Sequence, residues 1–328
     1  MRLFVTNTGD YVDCDGETGK LSSVNKIIGD GNAVTLVAIA ESLHERKYGD
    51  VAEAVNNRHG VKLVLIAGPS SSGKTTTSNR VAIQCRVSGL NPIVLGMDNY
   101  FVDRELTPKD ENGKFDFECP GAVNMELLAS QMNALFAGEE VELRRYDFIS
   151  GKNISSGRKV RMSEKDIIIM EGIHALNPMV TSLMDDSHLF KVYASTMTSL
   201  EDDFLTVRPE DFRLLRRILR DHRTRGVSAL NTIERWTDVM SGENKHIAPF
   251  KGEADISFDT SLVYELSVLK CYLEPLLHSL EHNDEIHSEV ERLLTLLSHV
   301  RSVMPDVIST IPASSILREF IGGSLFEY

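Results

Sequence analysis

The most constraining feature of this sequence is a loop bracketed by two glycines. Its residues, numbers 68–75, read Gly-Pro-Ser-Ser-Ser-Gly-Lys-Thr and match the pattern G-x-x-x-x-G-K-[ST]. A nearly unbroken apolar run at 61–67 comes first and is typical of a strand buried on both faces. A helix is predicted directly after the loop, at 75–87. This order predicts an α/β fold with a phosphate-binding loop at one sheet edge.

The chemistry of such a loop follows from its backbone. Free N–H groups of the loop and of the helix N-terminus form a positive concavity that suits phosphate. We expect Lys74 to reach the β- and γ-phosphates of ATP and Thr75 to ligate Mg²⁺. The residues predicted to bind ATP in this stretch are Gly68, Ser70, Ser71, Ser72, Gly73, Lys74, Thr75 and Thr76.

The rest of the chain alternates apolar runs with helical patterns, which indicates a parallel sheet covered on both faces. Further strands are predicted at 92–96, 167–170, 189–194 and 256–258, and helices at 33–56, 125–137 and 211–223. The predicted fold is α/β of the P-loop NTPase type: a doubly wound parallel sheet with a helical lid and a helical C-terminal extension. We place a small N-terminal α+β segment of unknown role at 1–56, a kinase domain at 57–265 and the extension, packed on that domain, at 266–328. Helix should fill most of 262–303, with an interruption near Pro275.

Two carboxylates follow predicted strands, at the edge where open α/β sheets bind ligands. Glu171 ends the run at 167–170 and could hold Mg²⁺. The alternative is a polar residue that only terminates a strand. Asp98 follows the run at 92–96, expected to lie beside the strand of the phosphate loop, and could orient or deprotonate an acceptor hydroxyl. Its alternative is an ordinary turn aspartate. No Asn-Lys-x-Asp-like element for guanine is found, which favours a kinase over a GTPase.

An arginine-rich stretch falls in the predicted helix at 211–223. Four arginines spaced i, i+3, i+4 and i+7 share one helix face: Arg213, Arg216, Arg217 and Arg220. Arg225 extends this face and is predicted to bind ATP. Such a face suits a lid that closes over a triphosphate, neutralises the transferred group and excludes water. The alternative is a solvated face whose arginines pair with Asp211, Asp221 and Glu201.

Composition limits the classes of binding partner and the cellular compartment expected for this protein. The formal net charge of −13 disfavours binding to nucleic acid or an anionic membrane. The four cysteines are scattered without a C-x-x-C pair, which predicts reduced thiols in a cytoplasmic protein. The N-terminus does not resemble a signal peptide, and no window is apolar enough for a membrane span.

Together these motifs resemble the uridine kinase and phosphoribulokinase family over about residues 61–270. Residues 97–101 (Met-Asp-Asn-Tyr-Phe) look like the segment with the family's catalytic aspartate, which implies Asp98 as the base. Residues 115–120 resemble the segment whose acidic residue binds ribose hydroxyls, a place taken here by Glu118. Residues 145–148 resemble the element that packs on the nucleobase, which implies Tyr146 and Phe148. The resemblance also implies Glu171 as a metal ligand and a lid in which Arg217 and Arg220 serve catalysis, Arg217 also contacting the substrate.

The sequence is most similar to a bacterial subgroup of nucleoside (uridine) kinases, often fused to a threonyl-tRNA-synthetase-like N-terminal region. Residues 100–108, 139–143 and 315–324 carry that similarity. Two positions depart from the uridine kinase pattern. A base-reading histidine is replaced by Gly151, and a substrate-contacting lid arginine by Val227.

The predicted function is therefore ATP- and Mg²⁺-dependent transfer of the γ-phosphoryl group to a small acceptor. The favoured acceptor hydroxyl is the 5′-hydroxyl of a nucleoside of the uridine or cytidine type. Another nucleoside or a sugar phosphate stays open, the latter because of Lys109, Lys114, Arg144 and Arg145. A regulatory nucleotide-binding protein without acceptor chemistry is the other alternative, which the presence of both Asp98 and Glu171 disfavours. A homo-oligomer is compatible with the sequence.

Overall fold

The computed structural model of the chain describes residues 2–4, 11–13, 18–109, 113, 115–280 and 283–328, with side chains from residue 19 onward. Lys114 and parts of the N-terminal segment predicted at 1–56 lie outside these residues. The strands are β1 Arg2–Phe4, β2 Tyr11–Asp13, β3 Thr18–Lys20, β4 Leu63–Ala67, β5 Asn91–Gly96, β6 Val141–Asp147, β7 Lys152–Val160, β8 Asp166–Glu171, β9 Leu189–Ser195, β10 Ser199–Glu201, β11 Thr206–Val207 and β12 Ile256–Asp259.

Helices cover much of the remaining described chain. They are α1 Leu21–Gly29, α2 Ala33–Asn57, α3 Lys74–Val87, α4 Met125–Phe136, α5 Pro178–Thr181, α6 Pro209–Thr224, α7 Ala229–Glu234, α8 Trp236–His246, α9 Glu265–His278, α10 His287–Ser298, α11 Pro305–Thr310 and α12 Arg318–Ile321. Short 3₁₀ turns include Met97–Tyr100 and Arg104–Leu106. None of the helices in the described part of the chain is long and apolar enough to cross a bilayer.

Five parallel strands form the central sheet, in the order β12-β9-β4-β8-β5. This confirms the predicted α/β fold. One detail of the prediction was wrong: β5 does not lie beside β4, because β8 is inserted between them. In register, Glu171 at the end of β8 pairs with Ile66 of β4 on one side and with Gly96 of β5 on the other. The ends of the three strands therefore meet at one edge, where the predicted site residues begin.

The alternation of side chains along β4 divides the core into two layers. Leu63 and Leu65 pack with α4, α5 and β6 on one face. Val64 and Ile66 pack on the other face with α3 and the second half of α2. Because both faces are covered, every residue of β4 is buried, as its apolar run requires.

A third core lies outside the sheet and is built from helices. It unites apolar residues of α1 and the first half of α2 with those of α6, α9, α10 and the segment 316–321. The N-terminal segment and the C-terminal extension thus share one core with α6, while the three-part domain division stays a prediction. Helix α9 contains Pro275 and ends at His278. The predicted interruption of the helical region therefore falls after His278, slightly later than expected, and Pro275 lies inside the helix.

Candidate active site

The phosphate-binding loop joins β4 to α3 and depends on both of its glycines. A Cβ on Gly68 would lie 1.9 Å from the carbonyl oxygen of Ala194. Gly73 adopts a left-handed conformation with φ of 84°, and a Cβ there would lie 2.2 Å from the Cδ1 atom of Ile316. Only glycine fits the first position without moving backbone, and only glycine is unstrained at the second.

Lys74 begins α3 and folds back over the loop, where its Nζ donates a hydrogen bond to the Pro69 carbonyl at 2.9 Å. Burial lowers the pKa of Lys74, while the carboxylates of Glu171 and Asp98 act in the opposite direction. The side chain is thus a cation held among acidic groups at the mouth of the loop, the position from which a lysine can serve phosphate oxygens.

Thr75 and Glu171 meet directly beside Lys74. The Thr75 hydroxyl donates to the Glu171 carboxylate at 3.0 Å. Burial raises the pKa of Glu171 to about 7, against the effect of Lys74. The donors are hard oxygens, as Mg²⁺ prefers, and Mg²⁺ usually takes one or two protein ligands and completes its shell with phosphate oxygens and water. Among the described residues no cluster of three or more His, Cys, Asp or Glu side chains could hold a metal ion.

Asp98 lies in the 3₁₀ turn that follows β5 and is exposed. Partial desolvation by the surrounding protein raises the pKa of Asp98, and the cations of Lys74 and Arg225 lower it. No backbone N–H of a described residue donates to its carboxylate. Asp116, by contrast, accepts from the N–H groups of Glu118 and Cys119, as turn aspartates do. This contrast disfavours the interpretation of Asp98 as a turn residue.

Helix α6 supplies arginines to the loop, but fewer than the sequence pattern indicated. Arg217 Nη1 donates to Ser70 Oγ at 2.6 Å, so this side chain touches the phosphate-binding loop. Arg220 Nη2 lies 3.1 Å and Arg225 Nη1 3.7 Å from Oδ1 of the buried Asp221. Asp221 thus forms ion pairs with Arg220 and Arg225 next to the loop. The alternative considered above, in which arginines pair with Asp221, is therefore partly correct.

The prediction that four arginines form one basic helix face is wrong for Arg213 and Arg216. Arg213 Nη1 lies 2.6 Å from Glu243 of α8, and Arg216 is fully buried with its Nη2 2.6 Å from Glu265 of α9. A buried guanidinium requires such a partner, because an unpaired buried charge is strongly unfavourable. These two arginines therefore hold α6 in the helical core. Whether α6 closes as a lid stays a prediction.

Glu118, in the segment predicted to bind the acceptor, lies within the electrostatic reach of Arg217 and Lys74. Burial raises the pKa of Glu118, and the nearby charges of Arg217 and Lys74 lower it. Tyr146 is buried, its hydroxyl has no hydrogen-bond partner in the described structure, and its ring contacts Phe101 and Phe148 at centroid distances of 5.5 and 5.0 Å. Of the two aromatic residues predicted to contact the base, only Phe148 is exposed, whereas Tyr146 is buried behind it.

The fold also explains the missing histidine at position 151. Gly151 has φ of 69°, and a Cβ there would lie 2.9 Å from the Cβ and Nε atoms of Arg104. Arg104 in turn donates from Nη2 to the carbonyl of Phe148 at 2.6 Å. The side chain of Arg104 therefore fills the space next to residue 151. Val227 contributes only its backbone N–H, which donates to the carbonyl of Asp221 at 3.1 Å.

Two groups at the site were missed by the sequence analysis. Asn153 Nδ2 donates to the carbonyls of Asn99 and Phe101 at 2.8 and 2.9 Å and so fixes the turn that carries Asp98. Glu319 accepts a hydrogen bond from the Thr76 hydroxyl at 2.7 Å. The only sequence signal for Glu319 was its place in residues 315–324, a segment noted for its similarity to the bacterial subgroup.

Comparison with known proteins identifies the family of the chain. The profile of the Phosphoribulokinase / Uridine kinase family matches residues 63–266, more than half of the 328-residue chain. The chain belongs to this family. It is accordingly a P-loop kinase, a phosphotransferase that uses ATP and acts on a hydroxyl group.

Relatives of the chain include two bacterial proteins described as uridine kinases. The protein from Lactobacillus helveticus is 32% identical over 200 residues, which span 59% of this chain and 84% of that protein. The protein from Staphylococcus carnosus is 32% identical over 196 residues, spanning 59% and 85%. Among solved structures, a "Possible Uridine Kinase" from Bacillus stearothermophilus aligns with a TM-score of 0.44 at 22% identity, covering 65% of this chain and 98% of that one.

Proposed function

We propose that this kinase transfers the γ-phosphoryl group of ATP, with Mg²⁺, to the 5′-hydroxyl of a nucleoside. The observation that carries the proposal is the position of Asp98. Its exposed carboxylate lies within the electrostatic reach of Lys74, of Glu171 and of Glu118. An acceptor held at Glu118 would thus present its hydroxyl between Asp98 and the phosphate-binding loop.

The charges around the loop match the needs of phosphoryl transfer, which relies on positioning and on stabilisation of charge. Lys74 and Arg217 would stabilise the charge on the phosphoryl oxygens, and Arg220 would add to the field from α6. Thr75 and Glu171 would hold Mg²⁺, which when bound neutralises charge on the phosphates. Asp98 would orient the acceptor hydroxyl and accept its proton late in the reaction.

A nucleoside suits the acceptor side for two reasons. Glu118, with a carboxylate that only accepts hydrogen bonds when ionised, suits the paired hydroxyls of a ribose. The exposed ring of Phe148 offers an apolar face to a base, and the buried ring of Tyr146 packs against Phe148 and supports it. The uridine kinases from Lactobacillus helveticus and Staphylococcus carnosus support the same acceptor class.

A sugar phosphate is the second candidate, and the described contacts favour it less. Arg144, one of the cations considered for it, is engaged with Asn153, to whose Oδ1 its Nε donates at 2.7 Å. Lys109 has its Nζ 5.3 Å from the centroid of the Phe115 ring. Arg144 is thus engaged within the protein, whereas Lys109 and Arg145 are exposed.

The proposal is tested by ATP turnover with Mg²⁺ across a panel of acceptors. Uridine, cytidine, adenosine, guanosine, two sugar phosphates and a reaction without acceptor would be compared, with Lys74→Ala as the background control. We expect one or more nucleosides to stimulate ADP formation at least tenfold over the reaction without acceptor. Stimulation by a sugar phosphate alone would replace the nucleoside with the second candidate. No stimulation by any of them would leave only ATP binding.

A further inference from the structure

The last part of the described chain folds back onto the phosphate-binding loop. We name residues 313–328 the return segment. It closes on itself where the Leu325 N–H donates to the Ala313 carbonyl at 2.8 Å. Its middle is anchored in the helical core, because Ile316, Leu317 and Phe320 are fully buried. This segment lies beyond residues 63–266, the part of the chain that matches the family.

Three contacts bring the return segment to the start of α3. Ile316 lies against Gly73, because a Cβ atom on that glycine would lie 2.2 Å from the Cδ1 atom of Ile316. The Thr76 hydroxyl donates to Glu319 Oε2 at 2.7 Å, and the hydroxyl of Tyr328 lies 3.0 Å from the same Thr76 oxygen. The side chain of Glu319 is only 8% exposed, whereas that of Tyr328 is 55% exposed. A carboxylate and an accessible aromatic ring thus border the phosphate-binding loop.

The orientation of Thr75 and Thr76 at the start of α3 indicates which end of a bound nucleotide would contact Glu319 and Tyr328. Thr75 faces Glu171, on the sheet side that also carries Asp98, whereas Thr76 faces the return segment. Successive residues of a helix point about 100° apart, so the two threonines serve two different sides of the loop. If the γ-phosphate lies toward Asp98, as the proposed function requires, the phosphate chain leaves the loop on the side of Thr76. The nucleoside half of the donor then lies against the return segment.

We infer that the return segment binds the nucleoside half of the phosphate donor, with Glu319 accepting hydrogen bonds from the ribose hydroxyls and the Tyr328 ring packing on the base. This inference rests on the proposed function and adds a second recognition site to it. A buried carboxylate suits a diol, because hydroxyls donate and an ionised carboxylate only accepts. Tyr328 is held by its hydroxyl, which lies 2.9 Å from Ser324 Oγ, so its exposed ring is already oriented. Exposed aromatic rings bind bases by stacking without strong base preference.

The opposite effect of Glu319 is also physically reasonable and must be distinguished. A carboxylate bonded to Thr76 could occupy the place of a phosphate oxygen and compete with the nucleotide. Such competition would act on any polyphosphate, with or without a nucleoside. Recognition of the ribose would act only on ligands that carry the hydroxyls, so a ligand without a nucleoside separates the two.

The experiment compares dissociation constants of the full chain for ATP, 2′-deoxy-ATP and inorganic triphosphate, each with Mg²⁺. The variants are Glu319→Gln, Tyr328→Ala and, as a matched control on the exposed surface of the same segment, Glu327→Gln. We expect the wild-type chain to bind ATP about five- to tenfold more tightly than 2′-deoxy-ATP, as one lost charge-assisted hydrogen bond implies. Glu319→Gln should remove most of that preference and leave triphosphate binding within about twofold of wild type. Tyr328→Ala should weaken both nucleotides by a similar factor without affecting triphosphate.

Several results would overturn the inference. Equal weakening of ATP and triphosphate in Glu319→Gln would reduce Glu319 to a support for the loop. Tighter binding of both would make it a competitor of phosphate. If the wild-type chain binds triphosphate and both nucleotides equally, the nucleoside half is not recognised at all. Failure of the wild-type chain to bind any of the three ligands would refute the proposed function itself, and melting curves of every variant would show whether the fold is retained.

Discussion

Replacing Asp98 by asparagine should separate nucleotide binding from phosphoryl transfer. The two side chains are nearly the same size, and asparagine can still hydrogen-bond an acceptor hydroxyl but cannot take its proton. Because no described backbone N–H donates to the Asp98 carboxylate, the turn itself should hardly change. Positioned proton transfer accelerates reactions by about 10²–10⁴-fold, which corresponds to about 3–5 kcal/mol of barrier. We therefore expect single-turnover transfer to slow by about that factor.

The charge change has a second consequence that the structure makes specific. Asp98 acts on the pKa of Lys74 in the direction that keeps the lysine protonated. Its removal leaves one acid fewer beside the phosphates, so ATP affinity should stay within a few fold of wild type or increase. A matched control is Asp103→Asn, five residues along the same loop. The Asp103 carboxylate accepts from the backbone N–H of Asn153 at 2.9 Å and lies 3.2 Å from Lys152, so it is engaged with β7.

The assay is rapid mixing of enzyme, saturating Mg²⁺-ATP and the best acceptor, with ATP affinity measured separately. Asp103→Asn should transfer at nearly the wild-type rate. If Asp98→Asn also transfers within about threefold of wild type, far less than proton transfer predicts, Asp98 is not the base. Glu118, the next carboxylate on the acceptor side, would then be tested in the same way.

Three further predictions concern binding and stability. Lys74→Ala should reduce kcat by at least about 10²-fold while its melting temperature stays near that of wild type, and a variant with near-normal kcat would remove the assigned role. Glu265→Gln should lower the free energy of unfolding in urea by about 3–5 kcal/mol, because Arg216 would lose its buried ionic partner; a loss below about 1 kcal/mol would show that the pair adds little. Burial lowers the pKa of His44 to about 3 in the native state, whereas a histidine in the unfolded chain has a pKa of about 6.5. Between these two pKa values the unfolded state binds a proton at His44 and the native state does not. Native stability should therefore fall by up to about 2 kcal/mol between pH 6.5 and 5 on account of this residue, and His44→Gln should flatten that slope in urea titrations.

The sequence predicted the local features of the site well, because they depend on patterns of a few residues. The apolar run before Gly68 and the glycine spacing gave the strand, loop and helix, and the strand-ending Glu171 was found to meet Thr75 as its motif indicated. The order of the strands was not predictable in the same way. Nothing within residues 92–96 shows that β8 is inserted between β5 and β4, since that choice depends on how distant helices cover the sheet.

The arginines of α6 show the same limit at the level of side chains. Their spacing defines a face, but a face can turn toward a ligand or toward buried carboxylates elsewhere in the chain. Arg213 and Arg216 turn toward buried carboxylates because their partners are Glu243 and Glu265. These partners lie 30 and 49 residues away in the sequence. Glu319 is 243 residues from Thr76 and could be connected to it only by the fold. The assignments of Lys74, Asp98, Glu118 and Tyr146 remain predictions.

The shared helical core has a consequence for work with shorter forms of this protein. Helix α6 packs against α9 and α12 and shares one apolar core with α1 and α2, while Arg217 on the same helix touches the phosphate-binding loop. A fragment cut to the family-matched residues would leave Phe212, Leu215 and Leu219 without their cover. Loss of turnover in such a fragment would then report an unfolded helix instead of a missing catalytic group. Substitutions in the helical core would likewise resemble active-site lesions in any screen that scores turnover alone.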